Sequence, residues 1–264
     1  MNILDTIIEH KRGEVAKRKA TLPIGQLERT VFYKRKPLSL KQSLLDPGKT
    51  GIIAEFKRRS PSKGVINDRV SVGDVTRGYT AAGASCLSVL TDEHFFGGSS
   101  DDLEQARVND IPILRKDFMI DEYQVVEAKA MGADVILLIA AVLTPAEVQR
   151  LAVFARSLGL EVLLEIHNEE ELGHICAETE LVGVNNRDLK TFIVDVERSI
   201  QLSKKIPAGK IMIAESGINR VDTIVHLGRA GFRGFLIGEN FMKEENPGAA
   251  FGVFAEELKK SIPL

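Results

Sequence analysis

From residue 50 onward the chain alternates short apolar runs, rich in β-branched residues, with longer stretches of helical period. Eight such runs stand out: Gly51-Ile-Ile-Ala-Glu-Phe, Ser85-Cys-Leu-Ser-Val-Leu, Ile113-Leu-Arg-Lys, Val135-Ile-Leu-Leu-Ile, Val162-Leu-Leu-Glu-Ile, Leu181-Val-Gly-Val-Asn, Ile211-Met-Ile-Ala-Glu and Phe235-Leu-Ile-Gly. Their starts are roughly 20–34 residues apart, enough for a strand, a helix and two loops. Eight strand–helix units in a row predict an α/β fold whose parallel sheet closes into a (β/α)8 TIM barrel. A doubly wound sheet is the alternative, but it normally has fewer strands and often a glycine fingerprint after the first, and no G-x-G-x-x-G occurs here.

Local signals agree with this punctuation. Ser100-Asp-Asp-Leu-Glu, Thr144-Pro-Ala-Glu and Asn168-Glu-Glu-Glu-Leu place capping side chains and acids where helices should start. Ala-Gly-Ala (82–84), Met-Gly-Ala (131–133) and Ala-Gly-Phe (230–232) supply glycines that end helices just before strands. Ahead of the first strand, Ile3, Leu4, Ile7 and Ile8 share one face of an amphipathic helix. Residues 1–48 are therefore expected to form an N-terminal helical extension and residues 49–264 the barrel.

Composition narrows the function classes. The 264 residues are 44% hydrophobic and 27% charged with a net charge of −2, which excludes a disordered or collagen-like chain. The longest apolar run, Val135 to Leu143, is about half the ~18 residues a membrane helix needs, so no membrane partner is expected. Residues 1–36 carry nine Lys/Arg against four Asp/Glu, but the rest of the chain is acidic, so no nucleic-acid partner is expected. Two isolated cysteines, Cys86 and Cys176, and no targeting pattern at the start point to a reducing, cytoplasmic location.

Two tempting motifs fail. Asp46-Pro-Gly-Lys-Thr50 lacks the upstream glycine of a phosphate loop and precedes a strand rather than a helix. His167 and His174 bracket a helix start without sharing a face, and read as solvated or capping side chains rather than metal ligands.

In a barrel of this kind the chemistry sits at the carboxyl ends of the strands. The first run ends Glu55-Phe-Lys57, the third with Lys116, the fifth with Glu165, the sixth with Asn185-Asn-Arg187 and the seventh with Glu215-Ser216. Period-two geometry turns Glu55 and Lys57 to the same side. Lysines and glutamates converging in a barrel mouth must pair to offset burial, which shifts their pKa values toward acid–base use. A ring of structural ion pairs is the plainer reading of any one of them. Glycines after the last two strands, Ser216-Gly217 and Gly238-Glu239, let backbone N–H groups approach an anion, and Arg59 and Ser60 lie in the first loop.

At these residues the chain resembles a known family. Ala54-Glu-Phe-Lys-Arg-Arg-Ser-Pro-Ser-Lys-Gly64, Pro112-Ile-Leu-Arg-Lys-Asp-Phe118, Leu164-Glu-Ile166, Val184-Asn-Asn-Arg-Asp-Leu189, Ala214-Glu-Ser-Gly-Ile218 and Leu236-Ile-Gly238 look like the successive signatures of the indole-3-glycerol phosphate synthases. The resemblance implies a lyase of tryptophan biosynthesis that closes, decarboxylates and dehydrates 1-(2-carboxyphenylamino)-1-deoxyribulose 5-phosphate. It implies no metal and no organic cofactor, a phosphorylated small-molecule substrate and, as further partners, other tryptophan-pathway enzymes.

By the same resemblance Lys116 is the general acid of ring closure. Glu165, Glu55 and Lys57 move protons, the last two in dehydration, and Lys57 also holds the substrate carboxylate. Asn185 and Ser216 contact substrate, and Arg187 orients the neighbouring glutamates. Phe95 and Phe118 wall the anthranilate pocket, although each also suits an ordinary core position. Arg59, Ser60, Gly217, Gly238 and Glu239 surround the phosphate. Two positions depart from the pattern of some relatives: Arg59 replaces a lysine and keeps the cation, whereas Glu239 replaces a small polar residue and puts a carboxylate beside a dianion. Phosphoribosylanthranilate isomerase-like chemistry and a non-catalytic metabolite-sensing barrel are the competing readings; two lysines together argue against the first, and proton-transfer groups against the second.

Overall fold

The computed structural model describes residues 3–188 and 193–261. Eight strands, β1 (Ile52–Phe56), β2 (Cys86–Leu90), β3 (Ile113–Lys116), β4 (Val135–Ile139), β5 (Glu161–Ile166), β6 (Leu181–Asn185), β7 (Ile211–Glu215) and β8 (Gly234–Ile237), form the closed parallel barrel the alternation predicted. All eight apolar runs fall on these strands, and β8 pairs back onto β1 through Ile52–Phe235, Ile53–Leu236 and Ala54–Ile237. Closure leaves the barrel sheet itself without a free edge.

The period of two sorts each strand into two cores. Ile53, Leu114, Leu137, Leu163, Leu181, Ile213 and Leu236 fill the barrel interior. Ile52, Ala54, Phe56, Leu87, Ile113, Ile136, Leu164 and Val182 pack outward against the helices. A one-residue slip of any strand would exchange these sets, so the register is strongly fixed. It also places the strand-end polar residues in one layer, with Glu55 opposite Ser88, Ile139 opposite Glu165, and Asn185 opposite Glu215.

The capping signals hold with two adjustments. Thr144 and Glu147 form a reciprocal capping box. The helix Ser100–Ala106 is capped one residue earlier than its motif suggested, by Ser99, whose Oγ accepts from the Asp102 N–H. Asn168 caps a 3-10 turn, Glu169–His174, rather than an α-helix. Gly83, Gly132 and Gly231 adopt the left-handed conformation at helix ends.

The N-terminal residues cover both ends of the barrel. The short helix Leu40–Leu45 inserts Leu40 and Leu44 beneath the interior core, and its Ser43 Oγ donates to the Ser85 carbonyl. The long helix α1 (Ile3–Thr21) lies across the mouth. Its buried stripe is Ile7, Lys11 and Val15, with Leu4 and Ile8 half-buried and Ile3 at the rim. Lys11, fully buried, reaches Asp92 after β2 at 2.9 Å and Asp117 after β3 at 3.0 Å. Those partners keep its ammonium charged, above its ordinary pKa, although burial alone would lower it. No helix among the described residues is long and apolar enough to cross a membrane.

Candidate active site

A cavity opens at the carboxyl end of the barrel, and Lys116 lines it. The lysine's Nζ lies 3.0 Å from Glu215 Oε2, 3.7 Å from Glu165 Oε2 and 3.9 Å from Glu55 Oε2. Burial disfavours the ammonium, but three carboxylates outweigh it and raise the pKa, so Lys116 stays charged in a site largely shielded from water.

The carboxylates differ in what else they touch. Glu55 pairs with Lys57 at 2.8 Å and accepts from Ser88 Oγ at 3.4 Å. Burial opposes its charge, yet Lys57 and Lys116 prevail and hold it below the ordinary carboxylate range. Glu165 accepts from Asn185 Nδ2 at 3.0 Å, and His167 Nε2 lies 3.0 Å from its Oε1. Lys116, His167 and Asn185 overcome its burial in the same direction. Glu215 has Lys116 alone: it is 1% exposed, and its Oε1 has no hydrogen-bond partner among the described residues. Burial, reinforced by the neighbouring Glu165 and Glu55 charges, pushes its carboxyl up to about 7 despite Lys116.

Gly183 on β6 makes this packing fit. A Cβ there would overlap Glu215 Oε1 outright and lie 3.2 Å from its Cδ. Gly238 plays the same part for Glu55, whose Oε1 and Cβ would stand 2.7 and 2.9 Å from an added methyl. These glycines serve close approach between neighbouring strands, a use of glycine distinct from turn formation.

The remaining lining has a polar side and an apolar side. Ser60, Ser216, Gly217, Gly238 and Glu239 border the cavity, joined by Asn219, Asn240 and Lys243. Ser216 is the one non-glycine residue with positive φ (69°) among the described residues, and its carbonyl is held by Asn186 Nδ2 at 2.8 Å. Such backbone strain persists where surrounding contacts enforce it, and it aims the Ser216–Gly217 turn into the cavity. Glu239 points outward to Lys63, 3.7 Å away. Arg59 does not line the cavity: its guanidinium donates to the carbonyls of Glu93 and His94. The apolar side is built from Ile3, Leu4, Ile7, Phe96, Phe118 and Leu137.

Here Phe96 occupies the place expected of Phe95. The turn Glu93–Phe96 is capped by Asp92, whose Oδ1 accepts from the N–H groups of Phe95 and Phe96. Consecutive helical residues point about 100° apart. Phe96 therefore packs toward Phe118, with ring centroids 6.1 Å apart, while Phe95 lies against His10 and His94. Arg187 lines the cavity and its N–H donates to Asn185 Oδ1, but among the described residues no ion pair links it to Glu55, Glu165 or Glu215. Leu189, at the end of the Val184-to-Leu189 motif, lies outside the described residues.

His167 departs from its reading as a solvated or capping side chain: it is 7% exposed and lies between Glu165 and Glu171. His174 is a local brace, its ring nitrogens 3.1 Å from the Glu171 carbonyl and 2.9 Å from the Leu143 carbonyl.

Similarity to known proteins agrees with this geometry. A family model for indole-3-glycerol phosphate synthase matches residues 4–252. An indole-3-glycerol phosphate synthase of Bacteroides thetaiotaomicron is 48% identical over 98% of this chain and 99% of its own. Those of Salinibacter ruber and Albidiferax ferrireducens are 43% and 41% identical, over 98% and 94% of this chain and 97% and 96% of theirs. A solved structure of a mandelate oxidase mutant with benzaldehyde matches with TM-score 0.61 and 16% identity, over 80% of this chain and 73% of its own, a likeness of fold alone. Matched along nearly its whole length by the model and by these relatives, the chain belongs to the indole-3-glycerol phosphate synthase family, carboxy-lyases of tryptophan biosynthesis.

Proposed function

We propose that the chain converts 1-(2-carboxyphenylamino)-1-deoxyribulose 5-phosphate to indole-3-glycerol phosphate, carbon dioxide and water, with Lys116 as general acid. The observation that carries this is one half-buried ammonium within 4 Å of three carboxylates, between an apolar wall and a glycine-lined polar rim. The aromatic ring rests on the wall of Phe96, Phe118, Leu4 and Ile7; the phosphate meets the N–H groups of the Ser216–Gly217 and Gly238 turns, with Ser60 closing over it.

In ring closure, the aromatic carbon bonds to the ketone carbon and the carbonyl π electrons move onto oxygen. Lys116, charged and partly desolvated, stabilises that developing oxyanion and gives it a proton. Breaking the carbon–carboxylate bond releases carbon dioxide and returns its electron pair to the ring system. Dehydration then expels the hydroxyl as water, which needs a proton delivered to oxygen and one removed from the ring.

The carboxylates divide by environment. Glu165 and Glu55, each held ionised by two cations, suit proton acceptance, and Lys57 beside Glu55 suits the substrate carboxylate and the departing hydroxyl. Glu215, with the raised pKa, suits proton delivery back to Lys116 or to the leaving hydroxyl. For association with other tryptophan-pathway enzymes, the support is the family resemblance.

Incubation of the purified chain with the ribulose phosphate, followed by indole fluorescence in the presence of chelator, tests the reading. Product formation at an unchanged rate with chelator is expected, because every proposed acid–base group is a side chain. No product, or turnover only of an aldose phosphate substrate, overturns it.

A further inference from the structure

Behind Glu165, on the side away from Lys116, His167 Nε2 lies 3.0 Å from Glu165 Oε1, while its Nδ1 lies 3.2 Å from Glu171 Oε2. Both ring nitrogens thus lie within ion-pair distance of a carboxylate oxygen, but only the Nδ1–Glu171 contact has hydrogen-bond geometry. His167 therefore acts on Glu165 through its charge and proximity, which suits a doubly protonated ring. Glu171 is itself fixed. It accepts from the His167 backbone N–H at 2.6 Å and from Asn168 Nδ2 at 3.1 Å, and its own N–H donates to Asn168 Oδ1 at 3.2 Å. The 3-10 turn that carries it is braced by His174 against the Leu143 carbonyl. The turn Glu169–His174 therefore does more than connect β5 to β6: it delivers one carboxylate to one histidine.

We propose that His167, held by Glu171, is a positioning residue for Glu165, fixing its Oε1 so that Oε2 faces Lys116 and the reacting atoms. The inference rests on the reading that Glu165 moves protons, and it adds how that carboxylate is kept oriented and ionised. Four groups face Glu165: Lys116 from β3, Asn185 from β6, His167 following β5, and the Glu215 charge from β7. His167 is one of two cations among them. Burial disfavours its charge, but Glu165 and Glu171 push its pKa up to about 10, so it remains charged across the neutral range. Asn185 also holds Oε1, so removing His167 should loosen Glu165 without freeing it completely.

The test is a double-variant cycle, with indole fluorescence giving kcat and KM and thermal unfolding reporting the fold. His167→Asn is expected to lower kcat at least about tenfold with KM within about threefold, since an interaction felt mainly in the transition state moves kcat. Glu171→Gln, which leaves the histidine in place, should shift kcat in the same direction by less. In a Glu165→Gln background, His167→Asn should cost less than about a further twofold, because the group it positions is already disabled. Losses that multiply in the double variant, or a raised KM at unchanged kcat, would overturn the proposal and make His167 a structural or binding residue. If His167→Asn fails to fold, the same cycle run with Glu171→Gln decides the matter by the same criteria. Full activity of Glu165→Gln alone would instead refute the underlying role of Glu165.

Discussion

Gly183→Ala should disable the site from a position that touches no substrate. The added methyl would overlap Glu215 Oε1, stand 3.2 Å from its Cδ and press on Leu163 Cδ1 at 3.3 Å. Since carbon–carbon contacts are comfortable only at about 3.5–4.0 Å, the carboxylate must move by about 1 Å. That motion would lengthen its 3.0 Å contact with Lys116 to about 4 Å, beyond hydrogen-bond range. A misplacement of about 1 Å is enough to cost about 100-fold in rate, and overpacking of this kind costs about 1–3 kcal/mol of stability. Initial rates by indole fluorescence and urea unfolding measure the two separately. In a Glu215→Ala background, where the carboxylate is absent, Gly183→Ala should lower kcat by less than about twofold. A Gly183→Ala enzyme with kcat within about threefold of the parent would falsify the argument that Glu215 needs this cradle to act on Lys116.

Lys116→Met should reduce kcat by at least about 100-fold while KM stays within about tenfold, as for a lost proton donor; a large rise in KM at near-normal kcat would make Lys116 a binding residue. Because Glu215 is pushed up to about 7, kcat/KM should fall as pH rises past neutrality, and Glu215→Gln should flatten that limb. The stability sign runs the same way: a carboxyl that holds its proton more tightly when folded contributes fully below its ordinary 4.5, and that contribution is lost as pH rises toward about 7, so the parent's urea midpoint should fall across this window relative to Glu215→Gln. Arg59→Ala should change inhibition by inorganic phosphate less than about twofold, whereas Gly217→Ala, with φ of 70° and Val194 Cγ2 3.0 Å from the new methyl, should weaken it several-fold; the inhibition constants of both variants check this. Lys11→Met strands Asp92 in a dry interior, while Asp117 keeps Arg115 at 3.1 Å, and should destabilise the fold by about 3 kcal/mol in urea unfolding.

The barrel was legible because a strand buried on both faces writes itself as a continuous apolar run, and several of the helices between carried caps that depend on neighbours three residues away, although Val221–Arg229 starts without one. The strand-end charges were legible for a related reason: Lys116 and Glu165 interrupt apolar runs where an ionised group is costly. What was not legible depended on phase or on distance across the barrel. Phe95 and Phe96 are adjacent aromatics, and the Asp92 cap, which sets the phase of a single turn, decides which one faces the cavity. Arg59 has the right charge, but the carbonyls that capture it lie 34 and 35 residues away. His167 resembled a solvated or capping histidine because Glu171, inside a run of three acids, gives no sign in sequence that its turn folds back onto the ring opposite Glu165.

Glu215 was readable as a strand end, yet not as the carboxyl of unusual acidity, and the reason is a matter of counting charges in space. Three carboxylates surround one lysine, and two of them have a second cation, Lys57 for Glu55 and His167 for Glu165. The third has none, is buried, and feels the other two as like charges, so it is the one that retains a proton near neutrality. Its acidity is therefore set by residues on other strands. Removing the cation from Glu165 should therefore redistribute the proton. In His167→Asn, Glu165 becomes a competing site and Glu215 should titrate at lower pH than in the parent, moving the alkaline limb of kcat/KM down. A limb that stays in place would mean that Glu215 owes its acidity to burial alone.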